Sequence, residues 1–198
     1  MRRAAVAIAA LWVPLSGVSG SLAQSVPDLD AVIAAFRDTF GSDCDSGGMD
    51  SDLFERFPPE VYSVGSPDRG ERLYVLICNL AAYNATYALY LSRPDGQIEQ
   101  LEFATPVVNF GASPDDAGES AAFVRFDTDA LLFNVVVDPA QMSITARVNW
   151  RGLGDAFSEG RWVLRDGEVV LTDYVIDPTL DLEENPIQIV QDEIVVLP

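Results

Sequence analysis

The sequence contains no histidine and no lysine, so all 12 of its basic residues are arginine. The absence of histidine excludes Ser-His-Asp and Cys-His catalysis and histidine metal sites. The absence of lysine excludes Schiff-base chemistry and the lysine of a phosphate-binding loop. An enzyme built from this chain would therefore depend on carboxylates, tyrosine, serine, arginine or a bound hard cation.

Positive charge is scarce throughout the chain, because 31 acidic residues outnumber the 12 arginines and give a net charge of −19. An acidic surface repels phosphate backbones and anionic lipid. We therefore expect no nucleic-acid partner and no membrane partner for the mature protein. The charge is typical of a solvated surface, and it also suits binding of a cation or a basic partner.

The start of the chain has the pattern of an export signal. Two arginines precede an apolar run from Ala4 to Leu15, and the small-x-small pattern at residues 21–23 precedes Gln24. The apolar run is too short for a good membrane anchor. The sequence predicts a signal peptide at residues 1–23, one β-rich domain at residues 24–198, and a periplasmic or secreted location.

Cysteine is also rare, with only Cys44 and Cys78 in the chain. An even number of cysteines in an oxidising compartment favours a disulfide. A disulfide between these two cysteines would close the chain between them into a loop. In the chain-entropy model this closure stabilises the fold by roughly 3 to 4 kcal/mol. The alternative is two separate buried thiols.

Hydrophobic periodicity predicts a mainly β (α+β) fold with one N-terminal amphipathic helix. Apolar residues recur at helical spacing over residues 28–40, and Gly41 can end that helix. Short strand-like runs separated by turns follow, with no further helical pattern between them. They predict an antiparallel sheet or sandwich of meander hairpins. The predicted strands are residues 72–80, 85–92, 97–103, 106–110, 121–126, 130–137, 143–150, 161–165, 168–176 and 187–191.

The stretch Arg151-Gly152-Leu153-Gly154-Asp155 interrupts this β pattern and is a candidate site. Its glycines permit backbone conformations that other residues disfavour, and the arginine and aspartate can meet across the turn. One interpretation is a small binding site in which Arg151 meets an anionic group. The other, which we favour, is a glycine-rich corner with an internal ion pair.

A second candidate, residues 78–87, follows the most apolar strand. Asn84 suits a tight hairpin, and Tyr83 can form a hydrogen bond while its ring packs. Residues 84–86 also match the N-glycosylation acceptor pattern. We expect the loop at residues 151–155 to pack beside these two residues and to close one end of the sheet.

Acidic residues suggest two further kinds of site. Asp43, Asp45 and Asp50 faintly resemble a calcium-binding loop, but its twelfth position is Phe54, where a bidentate glutamate is needed. The other acidic stretches are typical of solvated loops. A pair of carboxylates for glycoside hydrolysis remains open, because their separation is spatial.

Both candidate runs resemble the DUF1176 family, exported bacterial proteins of unknown function. The similarity lies in Ala81-Ala82-Tyr83-Asn84 after a cysteine-ending strand and in the later Arg-Gly-x-Gly-Asp loop. Trp162 and an Asp-Gly turn follow in the same order, so the resemblance covers about residues 36–190. Ala156 stands where the family has a cysteine, which implies that one family disulfide is absent and that Cys44 and Cys78 form the other. The resemblance implies export and a β-rich fold, and no activity.

These observations together predict an exported, non-enzymatic accessory or binding module, whose partner is a periplasmic protein or a small ligand. The predicted ligand-binding residues are Tyr83, Asn84, Arg151 and Asp155. No catalytic residue, metal site or cofactor is predicted. The alternative is a carboxylate-dependent or cation-dependent hydrolase, which needs a cleft with two inward carboxylates.

Overall fold

The computed structural model describes residues 29–44, 52–65, 70–110 and 121–195. The fold is mainly β, with 53% of the described residues in strands and 11% in helices, as the periodicity predicts. The predicted signal peptide lies outside the described residues. Within the described ranges, no helix has the length and apolar character needed to cross a bilayer.

Two helices and thirteen strands make up the described part of the chain. The helices are α1 (Leu29–Phe40) and α2 (Asp52–Arg56). The first seven strands are β1 (Glu60–Ser63), β2 (Arg72–Leu80), β3 (Ala85–Ser92), β4 (Ile98–Gln100), β5 (Phe103–Phe110), β6 (Ala121–Asp129) and β7 (Leu131–Phe133). The others are β8 (Val136–Asp138), β9 (Ser143–Asn149), β10 (Phe157–Arg165), β11 (Glu168–Asp177), β12 (Ile187–Val190) and β13 (Ile194–Val195).

The strands form two antiparallel sheets and a separate ribbon. The first sheet has the order β1-β2-β3-β4, and β7 also pairs with β3. The second sheet has the order β12-β11-β10-β9-β8, and β13 also pairs with β11. Strands β5 and β6 pair with each other in a two-stranded ribbon, and β5 contacts β11.

The main hydrophobic core lies between the two sheets. Alternate residues of β2 and β3 face alternate residues of the second sheet. Leu73 and Leu91 belong to the first set, and Ile144, Trp162 and Leu171 to the second. All five are fully or almost fully buried. Strict alternation places one face of each strand in this core. The fold is therefore a sandwich, as predicted, with the ribbon beside it.

Helix α1 covers the other face of the first sheet. Its residues Val32 and Phe36 are completely buried against a cluster that includes Tyr74 and Tyr90. The ring centroids of Phe36 and Tyr90 lie 6.5 Å apart in an edge-on arrangement. Strand β2 is thus buried on both faces, which explains its nearly continuous apolar sequence.

A disulfide joins the end of the helical layer to the first sheet. Cys44 follows α1 and bonds to Cys78 of β2, with 4.7 Å between the two Cα atoms. Both cysteines are buried. The predicted disulfide is therefore confirmed, and it ties α1 to the sheet that the helix covers.

Two of the predicted strands were wrong because each spans two strands of the structure, and the strand predicted at residues 161–165 begins earlier, at Phe157. Residues 130–137 form β7 and β8, which belong to different sheets, and Asn134 lies between them with a φ of 44°. Residues 97–103 form β4 and the start of β5, because the chain leaves the first sheet for the ribbon. Apolar periodicity does not show where a chain changes sheets. The five-residue α2 is too short to produce a helical pattern.

Candidate functional site

The four predicted ligand-binding residues lie together at one end of the sandwich. Gly152 packs on the ring of Tyr83, since a Cβ atom added to it would lie 3.5 Å from Tyr83 Cδ1. Asn149, at the end of β9, donates from Nδ2 to the carbonyl of Tyr83 at 3.2 Å. The glycine-rich loop therefore packs beside the β2–β3 turn, in the arrangement expected from the sequence.

Asn84 joins the two sheets through its side-chain amide. Its Nδ2 donates to the carbonyl of Asn149 at 2.8 Å, and its Oδ1 accepts from the Asn149 backbone N–H at 3.0 Å. The amide thus bonds to both backbone polar groups of one residue in the opposite sheet. Because both of its ends are engaged, the folded protein does not offer Asn84 as a glycosylation acceptor.

Asn134 completes an asparagine cluster with Asn84 and Asn149. It donates from Nδ2 to Asn84 Oδ1 at 2.8 Å and to the Arg147 carbonyl at 2.9 Å, and its Oδ1 accepts from the Ala85 backbone N–H at 2.9 Å. The sequence reasoning missed this residue. The sequence feature that marks Asn134 is its position as the one polar residue in the apolar stretch 130–137. A partly buried amide there needs hydrogen-bond partners.

Arg151 and Asp155 form a two-bond ion pair inside the glycine-rich loop. Arg151 Nε donates to Asp155 Oδ1 at 2.7 Å, and the Nη2 group donates to the other carboxylate oxygen. Leu182 adds a backbone N–H at 3.0 Å, and only 6% of the aspartate side chain is exposed. Bonding to the arginine lowers the pKa of Asp155 to about 2. The carboxyl group is therefore ionised and committed to holding the loop closed.

A second arginine supports the loop from the outer face of the second sheet. The Arg147 guanidinium lies 3.5 Å from the centre of the Phe157 ring, and its Nη2 donates to the Gly154 carbonyl at 2.8 Å. The same group pairs with Glu184 at 2.9 Å. Arg147 therefore links β9, the loop and the segment before β12, a role that strand periodicity alone does not predict.

A cleft of about 510 Å³ lies elsewhere, between the ribbon, β7 and the inner face of the second sheet. None of the four predicted residues lines it. Its apolar walls include Leu132, Phe133, Ala146, Val148 and Trp162. Its polar groups include Thr105, Asp127, Asp129, Ser158 and Tyr174.

Aromatic rings form the deepest wall of this cleft. Trp162 is buried, donates from Nε1 to the Ala104 carbonyl at 3.0 Å, and lies edge-on to Tyr174 with 6.4 Å between ring centroids. Gly160 leaves room for the indole, because an added Cβ atom would lie 2.3 Å from Trp162 Cη2. The position of the tryptophan therefore depends on a glycine two residues earlier in the same strand.

Two exposed carboxylates of β6 stand at the mouth of the cleft. Arg125 donates two hydrogen bonds to Asp127, at 2.9 and 2.7 Å, and Thr105 donates its hydroxyl to Asp129. Burial raises the pKa of the Tyr174 phenol, a hydrogen bond with Ser158 lowers it, and the nearby charge of Asp129 raises it.

The described residues contain no group of three or more cysteine, aspartate or glutamate side chains that could hold a metal ion. Residues 45–50 of the suggested calcium loop lie outside the described ranges. No protein-family model, curated protein or solved structure matches the chain. The resemblance to DUF1176 proteins stays a prediction.

Proposed function

We propose that this protein is an exported, non-enzymatic binding module whose small ligand occupies the cleft beneath the β5–β6 ribbon. One observation carries the proposal: a partly aromatic cleft of about 510 Å³ combines apolar walls with a few polar groups, which come from the ribbon and from the second sheet. Small-molecule sites typically enclose some 300 to 1,000 Å³ and combine apolar walls with a few polar groups.

The export part of the proposal is supported by two features of the chain. The first 23 residues have the charge and apolar pattern of a signal peptide. The disulfide between Cys44 and Cys78 suits an oxidising compartment. The DUF1176 resemblance, itself a prediction, is consistent with both.

The polar interactions of the cleft favour binding over hydrolysis. Asp127 and Asp129 alternate along one strand and so lie on one side of the cleft, whereas a hydrolytic carboxylate pair flanks the bond it cleaves. Arg125 donates two hydrogen bonds to Asp127, one to each carboxylate oxygen, so this carboxylate is already engaged by a protein partner. A hydrolase built on this pair is the alternative, and Asp127 and Asp129 in the cleft lining are the observation that favours it.

The proposal is tested by filling the cleft and mapping three phenyl compounds by amide NMR. The compounds are benzylamine, benzyl alcohol and benzoate, which share a ring and a similar size. Val148→Trp places a large side chain in the cleft, and Val163→Trp is the matched control beside the depression on the opposite face of the second sheet.

We expect at least one compound to shift the amide resonances of Leu132, Val148 and Ser158 in the wild-type protein and in the Val163→Trp control. Val148→Trp should abolish those shifts without changing the fold. If no compound perturbs the cleft at millimolar concentration, or if Val148→Trp leaves the shifts unchanged, the cleft is not a ligand site.

A further inference from the structure

We infer that the cleft selects an organic cation, an ammonium group attached to an apolar or aromatic body, with Asp129 as the carboxylate that faces the ammonium. The inference rests on the proposed function, since it names the ligand class of the same cleft. It goes further by assigning the charge of the ligand and the residue that selects it.

The charged residues that line the cleft have one sign. Among the described residues that line it, two are aspartates and none is an arginine. The whole chain carries a net charge of −19, which raises the local concentration of cations and lowers that of anions. A ligand anion would meet no basic residue in the lining of the cleft, and the nearby Arg125 is paired with Asp127. A cation is the complementary ligand.

Asp129 is the carboxylate whose charge is not offset. Asp127 is paired with Arg125 at 2.7 Å, so its charge is largely compensated. Asp129 forms no ion pair within the described residues, and the neutral hydroxyl of Thr105 holds one of its oxygens. Asp129 and Tyr174 both line the cleft, so the carboxylate and the ring face the same space.

The aromatic wall suits the same ligand. The faces of Trp and Tyr rings carry negative electrostatic potential and attract cations placed over them. Trp162 and Tyr174 both line the cleft, together with the ring of Phe133. The apolar body of the ligand packs against these rings and against Leu132, while the ammonium group stays at the acidic mouth, where it keeps part of its hydration.

The same three phenyl compounds test the inference, because they carry charges of +1, 0 and −1 on similar frames. In low salt, benzylamine should bind about 1.5- to 5-fold more tightly than benzyl alcohol, the range expected for an exposed ion pair. Benzoate should bind most weakly. Raising the salt to about 0.5 M should shrink the difference, since exposed charges are screened.

Asp129→Asn should remove the advantage of benzylamine and leave the affinity for benzyl alcohol unchanged. Asp38→Asn, on the exposed side of α1, is the control because it changes the net charge equally. Equal binding of the amine and the alcohol by the wild type would overturn the inference while leaving a neutral ligand site. An equal effect of the two substitutions would also overturn it. If none of the three compounds binds, the proposed function fails and the inference falls with it.

Discussion

The asparagine cluster should hold the two sheets together at one end, and Asn84→Ala tests this directly. The substitution removes three hydrogen bonds: two to the backbone of Asn149 and one from Asn134. A protein hydrogen bond contributes about 1 kcal/mol net, and a buried group left without a partner costs about 1 to 3 kcal/mol. Because the site is partly buried, we expect a loss of about 2 to 4 kcal/mol.

That loss is large beside the roughly 5 to 15 kcal/mol that stabilises a typical domain. It is measured by urea unfolding of the wild type and the variant, followed by tryptophan fluorescence and analysed by linear extrapolation. Native-state hydrogen exchange adds a local readout. The Asn149 amide should lose protection, since Asn84 Oδ1 is its acceptor.

Asn109→Ala is the matched control, because Asn109 lies exposed in the ribbon strand β5. Its effect should stay within about 0.5 kcal/mol, as for most surface substitutions. If Asn84→Ala is equally mild and the Asn149 amide stays protected, the cluster does not fasten the sheets. Asn84 would then again be a candidate for ligand binding.

Three further predictions concern the ion pair, the disulfide and the tryptophan wall. The pKa of Asp155 is lowered from 3.8 to about 2, so its contribution to the free energy of unfolding is complete above pH 3.8 and is lost as the pH falls towards 2. Asp155→Asn should flatten that part of the curve of unfolding free energy against pH. Replacing Cys44 and Cys78 together by alanine should cost roughly 3 to 4 kcal/mol in urea unfolding. Gly160→Ala should displace Trp162, cost about 1 to 3 kcal/mol and shift the tryptophan emission.

Each of these three predictions has an outcome that contradicts it. If the free energy of unfolding of Asp155→Asn depends on pH between 2 and 4 as steeply as that of the wild type, Asp155 does not cause the loss of stability in acid. If the reduced and oxidised wild-type proteins have the same free energy of unfolding, the disulfide does not stabilise the fold. Gly152→Ala is the control for Gly160→Ala, since its added Cβ lies at an ordinary contact distance of 3.5 Å from Tyr83. Equal effects of the two alanines would contradict the packing argument.

Much of the fold could be predicted because the spacing of apolar residues in the sequence matches the observed helix and strands. The apolar spacing of residues 28–40 matches α1, and the continuous run of residues 72–80 matches β2, which is buried on both faces. The cysteine pairing could be predicted from the even number of cysteines and the predicted oxidising compartment. The split at Asn134 could not be predicted, since the residues on either side have the same apolar character although they belong to different sheets.

The candidate site was only partly visible in the sequence for a related reason. Glycines and asparagines mark corners, so the contact between the β2–β3 turn and the 151–155 loop could be expected. The cleft depends on how the β5–β6 ribbon lies beside β11, and that packing joins residues far apart in the chain. Asp129 and Tyr174 carry no motif that would link them before the fold is known.

Amide NMR mapping of benzylamine on the ¹⁵N-labelled protein, residues 24–198, compares the cleft and the Arg151–Asp155 loop in one experiment. We expect the shifts to concentrate on Leu132, Val148 and Ser158 in the cleft and to spare the loop. Shifts that concentrate on the loop and on Tyr83 would mean that the loop, and not the cleft, is the ligand site.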